Sequence, residues 1–339
     1  MAVKKLGSQT VKFQNPPSIR STYTIVGPKE GEGPLKQYFD LILEEDKWGQ
    51  ESYEKSEAKI QEEAIKGAIS NGKLTNKDID YILSGDLLNQ IISSTYTARQ
   101  FSIPYYGLYG ACSTMTESLS LGAMLIDGGF AEHIVCATSS HFSSAERQFR
   151  FPLEYGSQRN FAAQWTVTGA GATILSSQGS GPYITYATTG KIVDMGIKDP
   201  SNMGGAMAPA AVDTLLTHFK DTGYSPSDYD YIFSGDLGKV GKAIVIDLML
   251  NEGYDLSNKY TDCGVEIFDN DNQDTHAGGS GCGCAAAVFN GYIYKEIKKG
   301  NFGRILLMAT GALHSTIINQ QGESIPGIAH AVTIDLNKG

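Results

Sequence analysis

Two octapeptides decide how this chain must be read: Asp80–Leu87, DYILSGDL, and Asp230–Leu237, DYIFSGDL, which differ at a single position. Working outward, Cys112–Ser140 and Cys284–Ala312 align without a gap. Each runs from a cysteine through a helical stretch to a strand ending in Ala-Thr, at Ala137-Thr138 and Ala309-Thr310. The offset is 150 residues for the octapeptides and 172 for the longer pair, so the second copy carries about 22 extra residues between its motifs. Similarity repeated in fixed order is an internal duplication, and two copies are too few for a solenoid. The expectation is an α/β unit present twice, with halves 1–178 and 179–339 and a break at Gln178–Pro182, QGSGP.

Between the motifs, helical and extended patterns alternate. Ser52–Ile69 carries apolar residues at helical spacing with charges on the other face. Strands are predicted over 79–84, 103–108, 134–138 and 172–176, and helices over 89–100 and 113–126. The last of these is almost uncharged apart from Glu117, which predicts deep burial. The order repeats over 183–187, 206–222, 231–234, 286–299 and 305–309. Strands separated by helices predict crossover connections, two mostly parallel buried sheets, and helices both between and outside them.

Composition narrows the function classes. A chain of 339 residues with 41% hydrophobic content can fill a core of about two domains. A net charge of −10 argues against a nucleic-acid partner, whose phosphates need cations. The opening MAVKKLGSQTVKFQ lacks the apolar stretch of a signal peptide. No apolar run approaches the roughly 18 residues of a spanning helix, so any membrane association should be peripheral. Five cysteines, an odd number without framework spacing, fit a reduced compartment.

The chemistry candidate is Cys112 in GACSTMTES, at the mouth of the buried helix, with Ser113 and Thr114 available for capping. A helix N-terminus favours thiolate, as a nucleophile requires, whereas a cysteine can equally be a small buried apolar residue. Asp86 and Asp236, the paired ends of SGDL, are each expected to cap a helix beginning nearby. Cys282 and Cys284 with His276 lack the four-ligand spacing of a structural zinc site, and Cys284 is better read as the echo of Cys112. Asp269–Asp274, DNDNQD, lacks the glycine and glutamate of a calcium loop. No metal site and no cofactor are therefore expected.

A duplicated α/β unit with a cysteine opening the buried helix of its first half resembles the thiolase superfamily, which implies the αβαβα layered fold. Condensing enzymes of that superfamily pair the cysteine with a histidine just after the strand matching Tyr231–Ser234. This chain has Gly235-Asp236 there. Ten motifs extend a closer resemblance over nearly the whole chain, among them VGPKEGEGPL, GACSTMTES, ATSSH, AERQFRFPLEYG, DMGIKDPSNMGGAMAPAA, AGGSGCGC, ATGALHS and GIAHAV. They are similar to the stage V sporulation protein AD family of spore-forming Firmicutes. That resemblance implies a protein without condensing activity that binds dipicolinic acid, pyridine-2,6-dicarboxylate, or its calcium chelate. It also implies action with channel proteins of the spore inner membrane, a cytoplasmic or membrane-peripheral location, and a homodimer built on the edge strand 103–108.

The ligand is a planar dianion, so its site should offer cationic forks. Arg147 and Arg150, three apart, are candidates for a carboxylate clamp or for structural ion pairs with Glu146 or Glu154. By position in the superfamily, Asp86, His141 and His330 could join Cys112 in the pocket. His141 is otherwise a hydrogen-bonded core histidine. The alternative function is a thiolase-superfamily acyl transferase or condensing enzyme with Cys112 as nucleophile and His141 or His330 as an unusual base.

Overall fold

The computed structural model describes residues 3–149 and 160–338. Five strands of the first half are β1 (Ser18–Val26), β2 (Tyr81–Gly85), β3 (Tyr105–Gly107), β4 (His133–Ser140) and β5 (Gly169–Ser176). Their order across the sheet is β1-β5-β4-β2-β3. The second half supplies β6 (Tyr183–Thr188), β7 (Tyr231–Ser234), β8 (Tyr260–Asp262), β9 (Arg304–Ala312) and β10 (Gly327–Asp335). Their order, β6-β10-β9-β7-β8, is the same arrangement. The two sheets touch through one residue pair, Ser18 with Tyr183.

The duplication therefore holds at the level of topology, but the sheets are mixed rather than mostly parallel. The β4–β2, β2–β3, β9–β7 and β7–β8 ladders are parallel. The β1–β5, β5–β4, β6–β10 and β10–β9 ladders are antiparallel. Three strands, β1, β8 and β10, carry no counterpart in the periodicity reading. All are buried largely on both faces, and β8 has only three residues, so none shows the alternation that marks a strand in sequence.

Helices fill the layers as the patterning requires. Outside the first sheet lies α1 (Tyr53–Asn71), whose N-cap Ser52 accepts from the Lys55 amide, with α2 (Ile92–Ala98) beside it. Between the sheets run α3 (Thr114–Asp127) and α7 (Cys282–Val288), the latter continued by a π turn over Phe289–Ile293. α7 buries every residue, mostly Ala and Gly, which lets it cross close to β4 and β5 of the other half. Outside the second sheet are α5 (Met203–Thr222) and α6 (Gly238–Asn251). A further helix, α4 (Phe142–Phe149), follows β4. This is the αβαβα arrangement, and its two inner helices bring Cys112 and the Cys282–Cys284 turn face to face. No helix among the described residues is long and apolar enough to cross a membrane.

Candidate functional site

Cys112 is placed by a turn. Ala111 adopts a left-handed φ of 50°, and Ala111–Ser113 form one 3₁₀ turn before α3. A non-glycine residue in that region costs roughly 1 kcal/mol or more, so the surroundings must hold it. Thr114 Oγ1 accepts from the Gly110 amide at 3.1 Å and donates to the Ala111 carbonyl at 2.7 Å. Ser113, expected to cap α3, does not, because its hydroxyl donates back to the Gly110 carbonyl at 2.7 Å. The end of β9 lies directly on this turn. A Cβ at Gly311 would sit 2.1 Å from the Gly110 carbonyl oxygen, so only glycine allows the approach.

In front of Cys112 lies a pocket walled by both halves. Tyr109, Glu146 and Phe149 come from the first half, and Met207, Ser280 and His314 from the second. The cavity itself is small, about 70 Å³, well below the roughly 300–1,000 Å³ usual for small-molecule sites, and opens outward to a space of about 680 Å³ with its mouth included. The Cys112 sulfur is 4.0 Å from Ser280 Oγ, and Ser280 Oγ donates to Asp236 Oδ2 at 3.4 Å. Thr310 Oγ1 donates to Asp236 Oδ1 at 2.7 Å. Cysteine, aspartate and serine thus form one cluster, with Asp236 standing just past the end of β7.

The electrostatics oppose a thiolate. Burial pushes the Cys112 thiol well above its ordinary range, and the Asp236 carboxyl and the Cys282 thiol push it further. The expected lowering by a helix N-terminus does not prevail, since desolvation and a neighbouring acid both disfavour negative sulfur. Burial likewise raises Asp236 to about 7, against the pull of hydrogen bonds with Cys112 and Thr310.

Of the described candidates, Cys112 lines this pocket and Asp86, His141, Arg147 and His330 do not. Asp86 is buried and caps α2, accepting from the Leu88 and Ser94 amides at 2.8 and 2.7 Å. His141 Nε2 pairs with the Asp46 carbonyl at 2.9 Å while Nδ1 accepts from the Ser143 amide at 3.1 Å. His330 Nδ1 accepts from the Gly190 amide at 3.2 Å, and burial lowers its pKa to about 4. Arg147 is more than half exposed and pairs with Glu54 across the surface between α4 and α1. Arg150 and Glu154 lie outside the described residues.

Asp236 departs from its expected role as a helix cap. The Leu237 and Gly238 amides are taken instead by Asp262, both at 2.8 Å. α6 begins at Gly238, directly after the octapeptide, and β8 delivers Asp262 to that start; Asp236 turns inward. The residue that sequence reasoning passed over is His314. Its signal was present: ATSSH and ATGALH each place a histidine just beyond a duplicated strand end. Cys282 donates to the Ser139 carbonyl at 2.9 Å, and Cys284 is fully buried in the core.

Comparison with known proteins bears on the family and the fold. The profile of the stage V sporulation protein AD family matches residues 7–335. Stage V sporulation protein AD of Bacillus subtilis (strain 168) is 46% identical over 333 residues, which is 98% of each chain. Among solved structures, 3-oxoacyl-[acyl-carrier-protein] synthase III from Aquifex aeolicus VF5 superposes with a TM-score of 0.56 at 13% identity, covering 94% of this chain and 99% of that one. Human mitochondrial 3-ketoacyl-CoA thiolase gives 0.55 at 15% identity, covering 97% and 100%. A variant of OleA from Xanthomonas campestris gives 0.62 at 12% identity, covering 95% and 97%. At such identities these likenesses carry the fold, which is thiolase-like.

Proposed function

The chain belongs to the stage V sporulation protein AD family, and from that premise we propose that this sporulation protein is a non-enzymatic receptor for dipicolinic acid or its calcium chelate. Its role would be uptake of that acid into the developing spore, at the membrane surface and together with channel proteins. The observation that carries the reading is Asp236 beside Cys112. Condensation requires a sulfur nucleophile and a base to take its proton. Here the thiol is held protonated, and its polar neighbour is an acid that also resists ionisation. What remains is a pocket with the ring of Phe149, the hydroxyls of Tyr109, Thr166, Ser201 and Ser280, and the amide of Gln164. Flat apolar surface with a few donors suits a planar aromatic acid.

Calorimetry tests this with dipicolinate and with pyridine-2-carboxylate, which lacks one carboxylate. Dipicolinate is expected to bind more tightly, and equal affinity would remove the two-carboxylate reading. Arg147→Ala is expected to leave affinity nearly unchanged, as an exposed ion pair contributes about 0–1 kcal/mol. Arg150→Ala weakens binding by about 2–5 kcal/mol if that side chain is a buried clamp.

A second reading, acyl transfer from Cys112, is favoured by one observation: His314 lines the same pocket and could act as its base. Mass spectrometry after incubation with acyl-CoA separates the two. An adduct on Cys112 would establish the enzyme. We further propose a two-fold dimer through β3, an edge strand paired only with β2 whose Tyr106 is 54% exposed. A monomer in light scattering at micromolar concentration would refute it.

A further inference from the structure

Among the described residues that line the pocket there is no lysine or arginine, and the walls carry the carboxyl of Glu146. An anion entering such a space must find its countercharge there, because an unpaired buried charge costs several kcal/mol. Among the described lining residues one group can supply it. His314 is 8% exposed, faces the pocket, and stacks at a tilt on Phe149 with ring centres 5.6 Å apart. Among the described residues its Nδ1 has no hydrogen-bond partner, and in the empty pocket it is covered, so a ligand reaches it by a shift of the ring or of its cover. A buried polar atom left unmatched is unfavourable, and in a pocket wall it points to a partner that arrives with the ligand.

We propose that His314 anchors the ligand by binding a proton with it, so that a carboxylate is held as an imidazolium–carboxylate pair at Nδ1. The proton comes from solvent: the neutral ring carries one N–H, and occupation of the site adds the second. This rests on the reading that an anionic acid occupies the Cys112 pocket.

The groups facing His314 leave it this role. From α4 come the Phe149 ring and the Glu146 carboxyl; from the turn before α3 come Tyr109 and Cys112; behind Ser280 stands Asp236. Burial pushes Tyr109 up to about 12 and Cys112 well up, so both are neutral near pH 7. Burial alone lowers the His314 pKa in the empty pocket, and an anion against Nδ1 raises it. The sign follows. Affinity is greatest at low pH, and between the empty and occupied pKa values it falls by up to about tenfold per pH unit as pH rises.

Dipicolinate is titrated calorimetrically into the full-length protein between pH 6 and 8, in phosphate and in Tris, whose ionisation heats differ. The expected result is uptake of about one proton per ligand, near zero in His314→Gln and retained in Glu146→Gln. An arginine clamp takes up no proton, so binding without uptake overturns the proposal. So does uptake that survives in His314→Gln, or that disappears in Glu146→Gln and assigns the proton to the carboxylate. The His314 ring resonances of the unmutated protein give the same answer without a variant. They should report neutral imidazole when empty and imidazolium when dipicolinate is bound, and an unchanged neutral ring refutes the pair. Absence of any dipicolinate binding would sink the receptor reading itself along with the anchor.

Discussion

Asp86 and Asp236 end the same octapeptide, follow equivalent strands, and do different work. Asp86 faces away from the pocket and holds two buried amides at the start of α2. Asp236 gives that task to Asp262 and faces Cys112, Ser280 and Thr310. The strand-end histidines diverge in the same way: His141 is bonded at both nitrogens, whereas His314 Nδ1 is bonded to nothing. In each pair the first-half residue keeps a structural bond, while in the second half His314 lines the pocket and Asp236 stands behind Ser280 beside Cys112. For the aspartates duplication supplied two copies, so one could hold the scaffold while its twin changed surroundings; the histidines fall one register apart, His141 aligning with Leu313.

Stability should register this division, and the largest effect belongs to the cap. Asp86→Ala strands two buried N–H groups and should cost about 2–5 kcal/mol in urea unfolding. Asp236→Ala removes hydroxyl and thiol partners that can rotate and a single backbone amide, that of Gly281, and should cost about 1–2 kcal/mol. Equal losses would break the comparison.

The next effect lies in pH dependence. Asp236 titrates near 7 when folded, above its ordinary 3.8. The folded state therefore keeps this proton longer than the unfolded chain. Its contribution to stability is complete below about pH 4 and is lost as pH rises through about 7. Asn does not titrate, so Asp236→Asn should gain on the parent protein by on the order of 4 kcal/mol between pH 4 and 8. Thermal unfolding at both ends checks the slope, and a gain that shrinks with rising pH would contradict the burial assigned to Asp236. The same variant should sharpen the view of Cys112. Losing the adjacent acid lowers the thiol pKa, so iodoacetamide should alkylate it faster at pH 8.

The smallest effect separates the histidines. His141→Leu leaves the Asp46 carbonyl and Ser143 amide without their partner and should cost about 1–3 kcal/mol. His314→Leu removes no Nδ1 bond and should stay within about 0.5 kcal/mol. Chemical unfolding of both variants, run side by side, measures the gap.

Much of the frame was legible in the chain. The repeated octapeptide and the cysteine-led stretches announced two equivalent units, and helical spacing located α1, α3 and α5 to within a few residues. These are local signals, since a repeat is visible in any one-dimensional string and a helix writes its buried face every three or four residues. Cys112 stood out because the motif around it is contiguous. Strand direction did not, because β1 and β10 are buried largely on both faces and carry no periodic pattern that tells which way a strand lies.

The sequence by itself determined the duplication, the layered fold and the place of Cys112 at the start of the central helix. Only the tertiary structure decided that Asp236 rather than Asp86 turns toward Cys112, that burial and Asp236 disfavour a thiolate there, and that Arg147 pairs with Glu54 on the surface. The reason is physical. Burial, and the acids and donors that share it, come from residues more than a hundred positions apart, as Cys112 from Asp236 and Phe149 from His314. Their effect on charge exists only once the two sheets close around them.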